Sequence, residues 1–499
     1  MTIANDGTLS LALARRTPDA TGLTSTLAGD LRSLFRVWNA KARRNVERSR
    51  YYHGHNALRD LGIAIPPSLT SIETVVSWPQ RAVDSLAVRS RLNAFTGDKS
   101  VTDELDGIAA ANDLYNVYRM AVVSELTHSC AAITVTRGAD GTPVIRAHSA
   151  TTCAMLWDWD RHRIRCGVTV ADVDEWGQPR AYNLYEDDCV VRFERLRDGW
   201  SHRVMPQPPS RPLMEPLIFR ASLDRPFGMP RISRAVMSIT DSAVRTALRS
   251  EISAEFFTSP QKYLLGAPED LFEPVCDDDG TMEAEAEDAV RNRLPGMTKW
   301  EAYLGSILAV TRDEEGNVPT FGQLAAASME PYIAYMRNLA ARFSGATNVP
   351  ISELGIVQDN PSSAEAIYAA KEALIIEAED LNESNGAAMR NVARMALAVA
   401  GNKPLDALTR EERSVSCYFM NPSRPSLASQ TDAMLKQASV FPGIVRTRVY
   451  WEELGYRDEQ IDEIMAQMDR DAGSQVLQSV LRNAASKSSD EFKSEAERG

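Results

Sequence analysis

A long uninterrupted helical pattern between Pro230 and Phe257 limits most strongly how this chain can fold. The pattern spans 28 residues, which corresponds to a rod of about 42 Å at 1.5 Å per residue. The whole chain has 499 residues, more than one hydrophobic core usually supports. We therefore expect an elongated or modular protein with several structural regions, one of which contains a long helix.

The faces of this predicted helix differ in chemistry. At 100° per residue, four arginines fall within about 60° of one another and form a basic stripe. The basic stripe consists of Arg231, Arg234, Arg245 and Arg249. A separate apolar stripe consists of Ile232, Val236, Ile239 and Ala243. We expect the apolar stripe to pack against the rest of the protein and the basic stripe to lie on another face.

The residues before this helix predict an α+β body over residues 1–229. Helical patterns cover residues 30–93, with a break at Pro66-Pro67, and residues 103–127. Between Cys130 and Leu196 the period changes to alternation, with turn residues between the runs, which is typical of an antiparallel meander. The predicted strands are residues 132–136, 144–148, 163–170, 181–185 and 190–196.

The residues after the long helix begin with an acidic module. Residues 263–290 contain ten Asp or Glu and no Lys or Arg. The central members of this acidic surface are Asp277, Asp278, Asp279, Glu283, Glu285 and Glu287. Two strand-like runs follow at residues 299–304 and 307–312, so we predict a small α/β module here.

A second helix is predicted from Ser328, a plausible N-cap, to Phe343, with Pro331 in its first turn. Residues 344–359 look like a connecting loop. A capping box, Ser362-x-x-Glu365, then announces a helix to about Glu383. Short helices are predicted at residues 430–439, 445–454 and 458–468, and the tail beyond Ala485 is too polar to fold.

Charge and cysteine usage exclude some classes of protein. The formal charge of -13 has the wrong sign for a protein that holds DNA by neutralising phosphates, although a local basic stripe remains possible. The six cysteines are widely spaced, without a C-x-x-C pair, and we expect reduced core thiols. No apolar run reaches the roughly 18 residues of a membrane span, and the N-terminus does not resemble a signal peptide.

Motifs for catalysis or for a cofactor are missing from the sequence. Gly-Lys, G-x-S-x-G and G-x-G-x-x-G do not occur, which excludes the Walker A, ordinary α/β-hydrolase and standard Rossmann motifs. An EF-hand alignment on Gly280 puts Val275 and Ala286 where carboxylates are required. His53-x-His55 lacks a further ligand nearby, and residues 157–160 look like a turn. We predict no catalytic residue, no metal site and no cofactor.

Several separate segments resemble one known family. They occur in the same order as in portal proteins of tailed phages that infect actinobacteria, a branch similar to the portals of Bacillus siphophages. The segments are Tyr51-Tyr52-His53-Gly54, Leu61-Gly62-Ile63, Trp78-Pro79, Arg225-Pro226-Phe227-Gly228, Arg231-Ile232-Ser233, Asp241-Ser242-Ala243, Glu255-Phe256-Phe257, Ser259-Pro260-Gln261, Phe343-Ser344-Gly345 and residues 359–365. The resemblance spans roughly residues 50–400 and is loose over the last hundred.

This resemblance implies a portal fold: an α/β wing, a long-helix stem, a small α/β clip and a helical C-terminal crown. It implies a mostly helical α+β subunit of a ring oligomer. The corresponding ranges are 1–229 (wing, with 1–25 flexible), 230–258 (first stem helix), 259–327 (clip), 328–343 (second stem helix), 344–359 (tunnel loop), 360–424 (long wing helix and following segment) and 425–499 (crown and flexible tail).

The resemblance also implies the function and the partners. The family forms a dodecameric ring at one vertex of the capsid, assembled in the host cytoplasm, through which double-stranded DNA enters and leaves. The implied partners are the terminase large subunit, the head–tail adaptor, the major capsid protein and the scaffold protein, with no membrane. An acidic wall suits such a conduit because it repels phosphates and lets DNA slide.

Two sites carry specific expectations under this hypothesis. The basic stripe either pairs with acids such as Glu251 and Glu255 of a neighbouring copy, which we favour, or contacts DNA phosphates. The tunnel loop combines glycines with an apolar centre, suited to touching DNA without gripping it. Its residues are Ser344, Gly345, Asn348, Val349, Pro350, Ile351, Leu354 and Gly355. The alternatives are a metal-dependent phage nuclease and another head–tail connector ring component.

Overall fold

A computed structural model describes residues 17–55, 74–197, 199–208, 211–258, 262–265, 320–323, 328–356, 364–423, 427–456 and 460–470. The chain divides into two compact units, Met1–Pro422 and Ser423–Gly499. Helices and antiparallel sheets both contribute, which confirms the α+β class. The protein is about half helical, so the prediction of a mostly helical chain overstated the helix content.

The helices of the larger unit are α1 (Ser25–His53), α2 (Trp78–Ala87), α3 (Lys99–Ala111), α4 (Leu114–His128), α5 (Arg234–Thr258), α6 (Glu330–Thr347), α7 (Ala364–Ala400) and α8 (Arg410–Arg413). Its strands are β1 (Leu92–Thr96), β2 (Cys130–Arg137), β3 (Pro143–Ser149), β4 (Cys153–Asp158), β5 (Arg163–Val173), β6 (Pro179–Tyr185), β7 (Cys189–Leu196), β8 (Gly199–Pro206), β9 (Met214–Ile218), β10 (Lys262–Leu265), β11 (Thr320–Gln323) and β12 (Ser416–Phe419).

Helix α1 covers a five-stranded antiparallel sheet with the strand order β4-β5-β6-β7-β8. The predicted apolar face of this helix is confirmed, because Phe35 and Trp38 are almost fully buried. Both rings meet Tyr182 of the sheet edge-on, with centroids 5.3 and 6.2 Å away. Such T-shaped contacts match the electrostatics of aromatic rings, and they hold the helix on this sheet.

A second core forms around a three-stranded sheet of order β3-β2-β9. The central strand β2 is buried along most of its length, and helices α4 and α7 pack against it. Strands β1 and β12 pair separately in an antiparallel ribbon. This core reaches from Tyr51 of α1 to Val415, just before β12, so it joins segments that are far apart in sequence.

The predicted meander is partly wrong. All five predicted runs are strands, but they divide between two sheets, and β4, β8 and β9 were missed. Strand β9 contains Glu215 and Pro216, which give no strand signal, and it forms because its backbone pairs with β2. Strand β8 is a polar edge strand. Trp157 and Asp158, which we assigned to a turn, are the last residues of β4.

Helices α5 and α6, the predicted stem helices, pack against each other. The antiparallel pair β10 and β11 lies between them in the chain. Pro331 occupies the first turn of α6, as predicted. The acidic residues Asp277, Asp278, Asp279, Glu283, Glu285 and Glu287, and both predicted strands of the module, lie outside the described residues.

Helix α7 is 37 residues long and continues beyond the predicted end at Glu383. The segment Asn382 to Gly386 has low helix propensity, which favours a break. Tertiary contacts override that preference: Asn385 donates hydrogen bonds to the Tyr118 hydroxyl and to Glu125, at 3.1 and 2.9 Å. A buried amide with such partners keeps the helix intact. Its predicted capping box involves residues outside the described range.

The smaller unit contains α9 (Leu427–Val440), a short 3-10 helix (Pro442–Arg446), α10 (Arg448–Glu453) and a helix over residues 460–470, α11. These elements confirm the three short helices predicted there. Arg448 links α10 to α11 through an ion pair with Asp462 at 2.5 Å. Across the described parts of both units, none of the helices combines the length and apolar character required to span a membrane.

Candidate functional site

Arg231 occupies the junction where α5 and α6 meet the body of the larger unit. Its side chain is buried. The guanidinium donates from Nε to the Ala82 carbonyl oxygen at 2.6 Å and from Nη2 to the Thr347 carbonyl oxygen. Its backbone amide donates to Leu126 at 2.8 Å. One residue therefore connects α2, α4 and the C-terminus of α6.

The acidic partner of this arginine is Glu377 of α7. Its Oε1 accepts from Nη1 of Arg231 at 2.5 Å and from Nη2 of Arg220 at 2.7 Å. Its Oε2 accepts from the Asn348 side chain at 3.2 Å. Burial lowers the pKa of the Arg231 guanidinium, and the Glu377 carboxylate opposes that shift. A buried pair of this kind requires both partners, because either one alone would be an uncompensated charge.

This geometry corrects the predicted basic stripe. Helix α5 begins at Arg234 rather than Pro230, so Arg231 is not on the helix and does not belong to the stripe. Ser233 accepts a hydrogen bond from the Val236 amide at 3.3 Å, as an N-cap serine does. That serine was the sequence signal for the true start of the helix.

Three residues of the stripe remain on one face of α5. Arg234 and Arg249 are exposed, and Arg245 is half-buried and donates to the Ser242 hydroxyl at 3.1 Å. The apolar stripe packs into the core as expected, since Val236, Ile239 and Ala243 are buried. The exposed arginines are available to another molecule.

The predicted tunnel loop starts too early, because the connection after α6 begins at Asn348 and not at Ser344. Ser344 and Gly345 belong to α6, which ends at Asn348 in the left-handed conformation with φ 56°. A 3-10 helix follows at Ile351–Leu354, closed by Gly355 with φ 84°. Residues 357–359 lie outside the described range. The described part of the segment after α6, residues 348–356, is therefore a capped turn.

The apolar centre of this segment faces inward. Val349 and Leu354 are buried in the core, and Pro350 is buried as well. Trp78 fixes the turn, because its indole donates to the Leu354 carbonyl oxygen at 3.3 Å. Glu353 pairs with Arg89 at 3.5 Å. The expectation that the apolar centre touches DNA is wrong for Val349, Pro350 and Leu354.

Apolar side chains are exposed on the helices around this junction. Ile333 and Tyr335 on α6 are 46% and 48% exposed, and Ile376 on α7 is 52% exposed. A groove of about 520 Å³ lies between α5 and α6, lined by Tyr332, Met336 and other residues of these helices. Ile333 lines this groove, and a partly apolar groove of this size is a surface that another protein can cover.

One group of potential metal ligands comes together among the described residues. Ligand atoms of Asp30, Cys166 and Glu186 lie within 4.8 Å of one another. Arg165 contacts the Asp30 carboxylate and supplies positive charge to the group. Burial and then Asp30 raise the pKa of Glu186 to about 8. Cys130, Cys153, Cys166, Cys189 and Cys417 are free thiols, as predicted, and Cys276 lies outside the described range.

Comparison with known proteins places the chain in a class. No family model matches it. The portal protein of Mycobacterium phage D29 is 27% identical over 451 residues, which cover 87% of this chain and 86% of that protein. The portal protein of Mycobacterium phage L5 is 26% identical over 428 residues, which cover 83% and 82%. Both relatives are structural proteins of phage particles and not enzymes.

The chain is homologous to the portal proteins of phages D29 and L5. Among solved structures, it is similar to a chain from the neck of a native gene transfer agent particle computed with C12 symmetry. That likeness has a TM-score of 0.45 and 14% identity, over 83% of this chain and 94% of the other. The similarity to the D29 and L5 portal proteins confirms the resemblance found in the sequence.

Proposed function

We propose that the protein is the subunit of a ring at the unique vertex of a phage capsid, through which double-stranded DNA is packaged and ejected. The observation that carries this proposal is the pair α5 and α6, held at the buried Arg231–Glu377 junction and exposing apolar side chains beyond it. A single copy leaves Ile333, Tyr335 and Ile376 in water. Neighbouring copies in a closed ring would cover them.

The family supports a dodecamer assembled in the host cytoplasm and kept in the virion. It also supports docking of the terminase large subunit, the head–tail adaptor, the major capsid protein and the scaffold protein. The similarity to portal proteins also supports the proposed division into wing, stem, clip and crown. The α+β body would form the wing, and α5 and α6 would form the stem. Strands β10 and β11 would be the described part of the clip, and α9 to α11 would form the crown.

For the remaining basic stripe we favour pairing between subunits. Arg234 and Arg249 are exposed on α5, and Glu251 is exposed on the same helix. A ring brings such faces of neighbouring copies together, so that arginines of one copy meet acids of the next. DNA phosphates in the channel are the alternative partner for these arginines.

Negative-stain electron microscopy and light scattering of the purified chain test the proposal. A dodecamer of 55.1 kDa subunits has a mass of about 660 kDa and a central hole. Rings with one subunit more than the dodecamer would still support the proposal, because the proposal is that the subunits form a closed ring. A stable monomer at micromolar concentration would contradict it.

A further inference from the structure

A cavity of about 470 Å³ lies on the body and is lined by no residue of α5 or α6. Helix α1 forms one wall, the ends of β2 and β4 form the second, and the loop over residues 224–230 forms the third. A volume of this size falls in the range of ligand sites and would hold a few side chains. None of the residues named in the proposed function lines this cavity.

Positive charge dominates the polar part of the cavity. Lys41, Arg44 and Arg48 lie at i, i+3 and i+7 on α1, a spacing that puts them on one helix face. Arg225 approaches from the loop, and Asp224 is the one acid among the described lining residues. Among the described residues, no carboxylate forms an ion pair with Lys41, Arg44 or Arg225.

One of these cations, Arg48, is held in place by hydrogen bonds, whereas Lys41, Arg44 and Arg225 are exposed. Arg48 donates to the carbonyl oxygen of His128 at 3.1 Å and to the Asn45 side chain at 3.4 Å. Burial lowers the pKa of Arg48, and the charge of Arg44 lowers it further. His128 adds no charge at neutral pH, because burial lowers its pKa to about 4. An anion between Arg44 and Arg48 would relieve their repulsion.

The floor of the cavity is apolar. Trp38, Ala154 and Met155 are buried there, and Phe227 closes it from the loop, with its ring 5.7 Å from that of Trp157. A phosphate or a DNA backbone would satisfy the cations but would leave this floor uncovered. A peptide with both an acidic and an apolar side chain would satisfy both parts.

We propose that this cavity is a docking site for a protein partner that inserts a large apolar side chain next to a carboxylate. The carboxylate would lie against Lys41, Arg44 and Arg48, and the apolar side chain would contact Trp38, Met155 and Phe227. Desolvated carboxylate–arginine contacts give such an interface its specificity, and the apolar contact gives it most of its affinity.

Calorimetric titration of the full chain with an acetylated and amidated peptide, Asp-Glu-Leu-Phe-Asp-Glu, tests this site. We expect saturable binding. Replacing the acids by Asn and Gln, or Leu-Phe by Ser-Ser, should each weaken binding by about tenfold or more. A duplex DNA of the same charge should not compete. The absence of binding at about 1 mM peptide would overturn the proposal.

Matched variants of α1 distinguish the cavity from a general effect of charge. Lys41→Glu with Arg44→Glu should weaken peptide binding by about tenfold or more. Arg36→Glu with Arg43→Glu changes the net charge equally, but both residues are exposed outside the cavity, so binding should change by less than about twofold. Equal losses of peptide binding in the two double variants would refute the protein site. It would also be refuted if duplex DNA bound tightly and this binding disappeared in the variant with Lys41→Glu and Arg44→Glu. Ring formation, measured on the same samples, separates this failure from failure of the proposed function.

Discussion

Arg231 and Glu377 form an ion pair of 2.5 Å in which the two side chains are 3% and 8% exposed. The pair joins a residue three positions before α5 to α7, and these positions are distant in the sequence. Because the same guanidinium also binds carbonyl oxygens of α2 and α6, the pair determines how the predicted stem helices leave the body.

Replacing Arg231 with Met should lower the free energy of unfolding by about 3–5 kcal/mol, because Glu377 and two helix carbonyls lose a buried partner. Urea denaturation measures the effect. Arg192→Met provides the control, since its pair with Glu194 lies at the surface and should contribute less than about 1 kcal/mol. Similar losses in the two variants would show that the junction is not buried as described.

Val349→Ala should destabilise the protein by about 1–3 kcal/mol, because the side chain is fully buried beside the end of α6. Ser352→Ala, in the exposed part of the same turn, should change stability by less than about 0.5 kcal/mol. Thermal unfolding compares the variants. If both were neutral, this segment would be an open loop after all.

Ile333→Lys should prevent ring assembly without unfolding the subunit, because it places a charge in an apolar surface that neighbours would cover. The loss of one buried apolar side chain per interface corresponds to about tenfold or more in dissociation constant. Mass photometry gives the ring fraction. Asn338→Lys adds the same charge at an exposed polar position of α6. Most rings should stay intact in this variant if neighbouring copies do not cover that face of the helix. Intact Ile333→Lys rings would place the interface elsewhere.

Replacing Arg245 and Arg249 with Glu should weaken ring assembly if the stripe pairs with acids of a neighbouring subunit. Light scattering at several salt concentrations measures this, and the defect should be larger at low salt, where repulsion is less screened. Normal rings combined with altered DNA retention would instead assign the stripe to DNA phosphates.

Stability should fall as the pH rises from 6.5 to 8, partly because of Glu125. This carboxyl is fully buried, and burial raises its pKa to about 8 although Asn385 opposes the shift. The folded state then holds a proton that the unfolded chain has released, with a slope of at most about 1.4 kcal/mol per pH unit. His128 and His148, with pKa values lowered to about 4, oppose this trend near pH 6.5, because the unfolded chain still binds protons there that the folded state does not.

Glu125→Gln should make the stability curve flatter between pH 6.5 and 8. Glu186 and Glu215, whose pKa values burial also raises, would account for the remaining slope. Urea midpoints at several pH values provide the measurement. An unchanged slope in Glu125→Gln would mean that Glu125 is already ionised in the folded protein.

The sequence by itself determined most of the local structure. Periodicity located α1, α5, α6 and five strands of the body, because a buried face forces apolar residues to recur every 3.6 or every two positions. The order of family segments identified the portal family. These signals are local or nearly local, so a single chain carries them without any knowledge of its fold.

Only the tertiary structure decided what the individual site residues do. The helical period predicted that Arg231 lies on the basic stripe. Its carbonyl and carboxylate partners come from α2, α6 and α7. The contacts of the buried guanidinium with these partners outweigh the local helical pattern. Glycines and a proline suggested an open loop after Ser344, yet Trp78 and the core cover Val349 and Leu354. Strand β9 and the second half of α7 also form because contacts with distant segments override a weak local signal. Contacts between distant segments supply free energies larger than local propensities, and no local pattern records them.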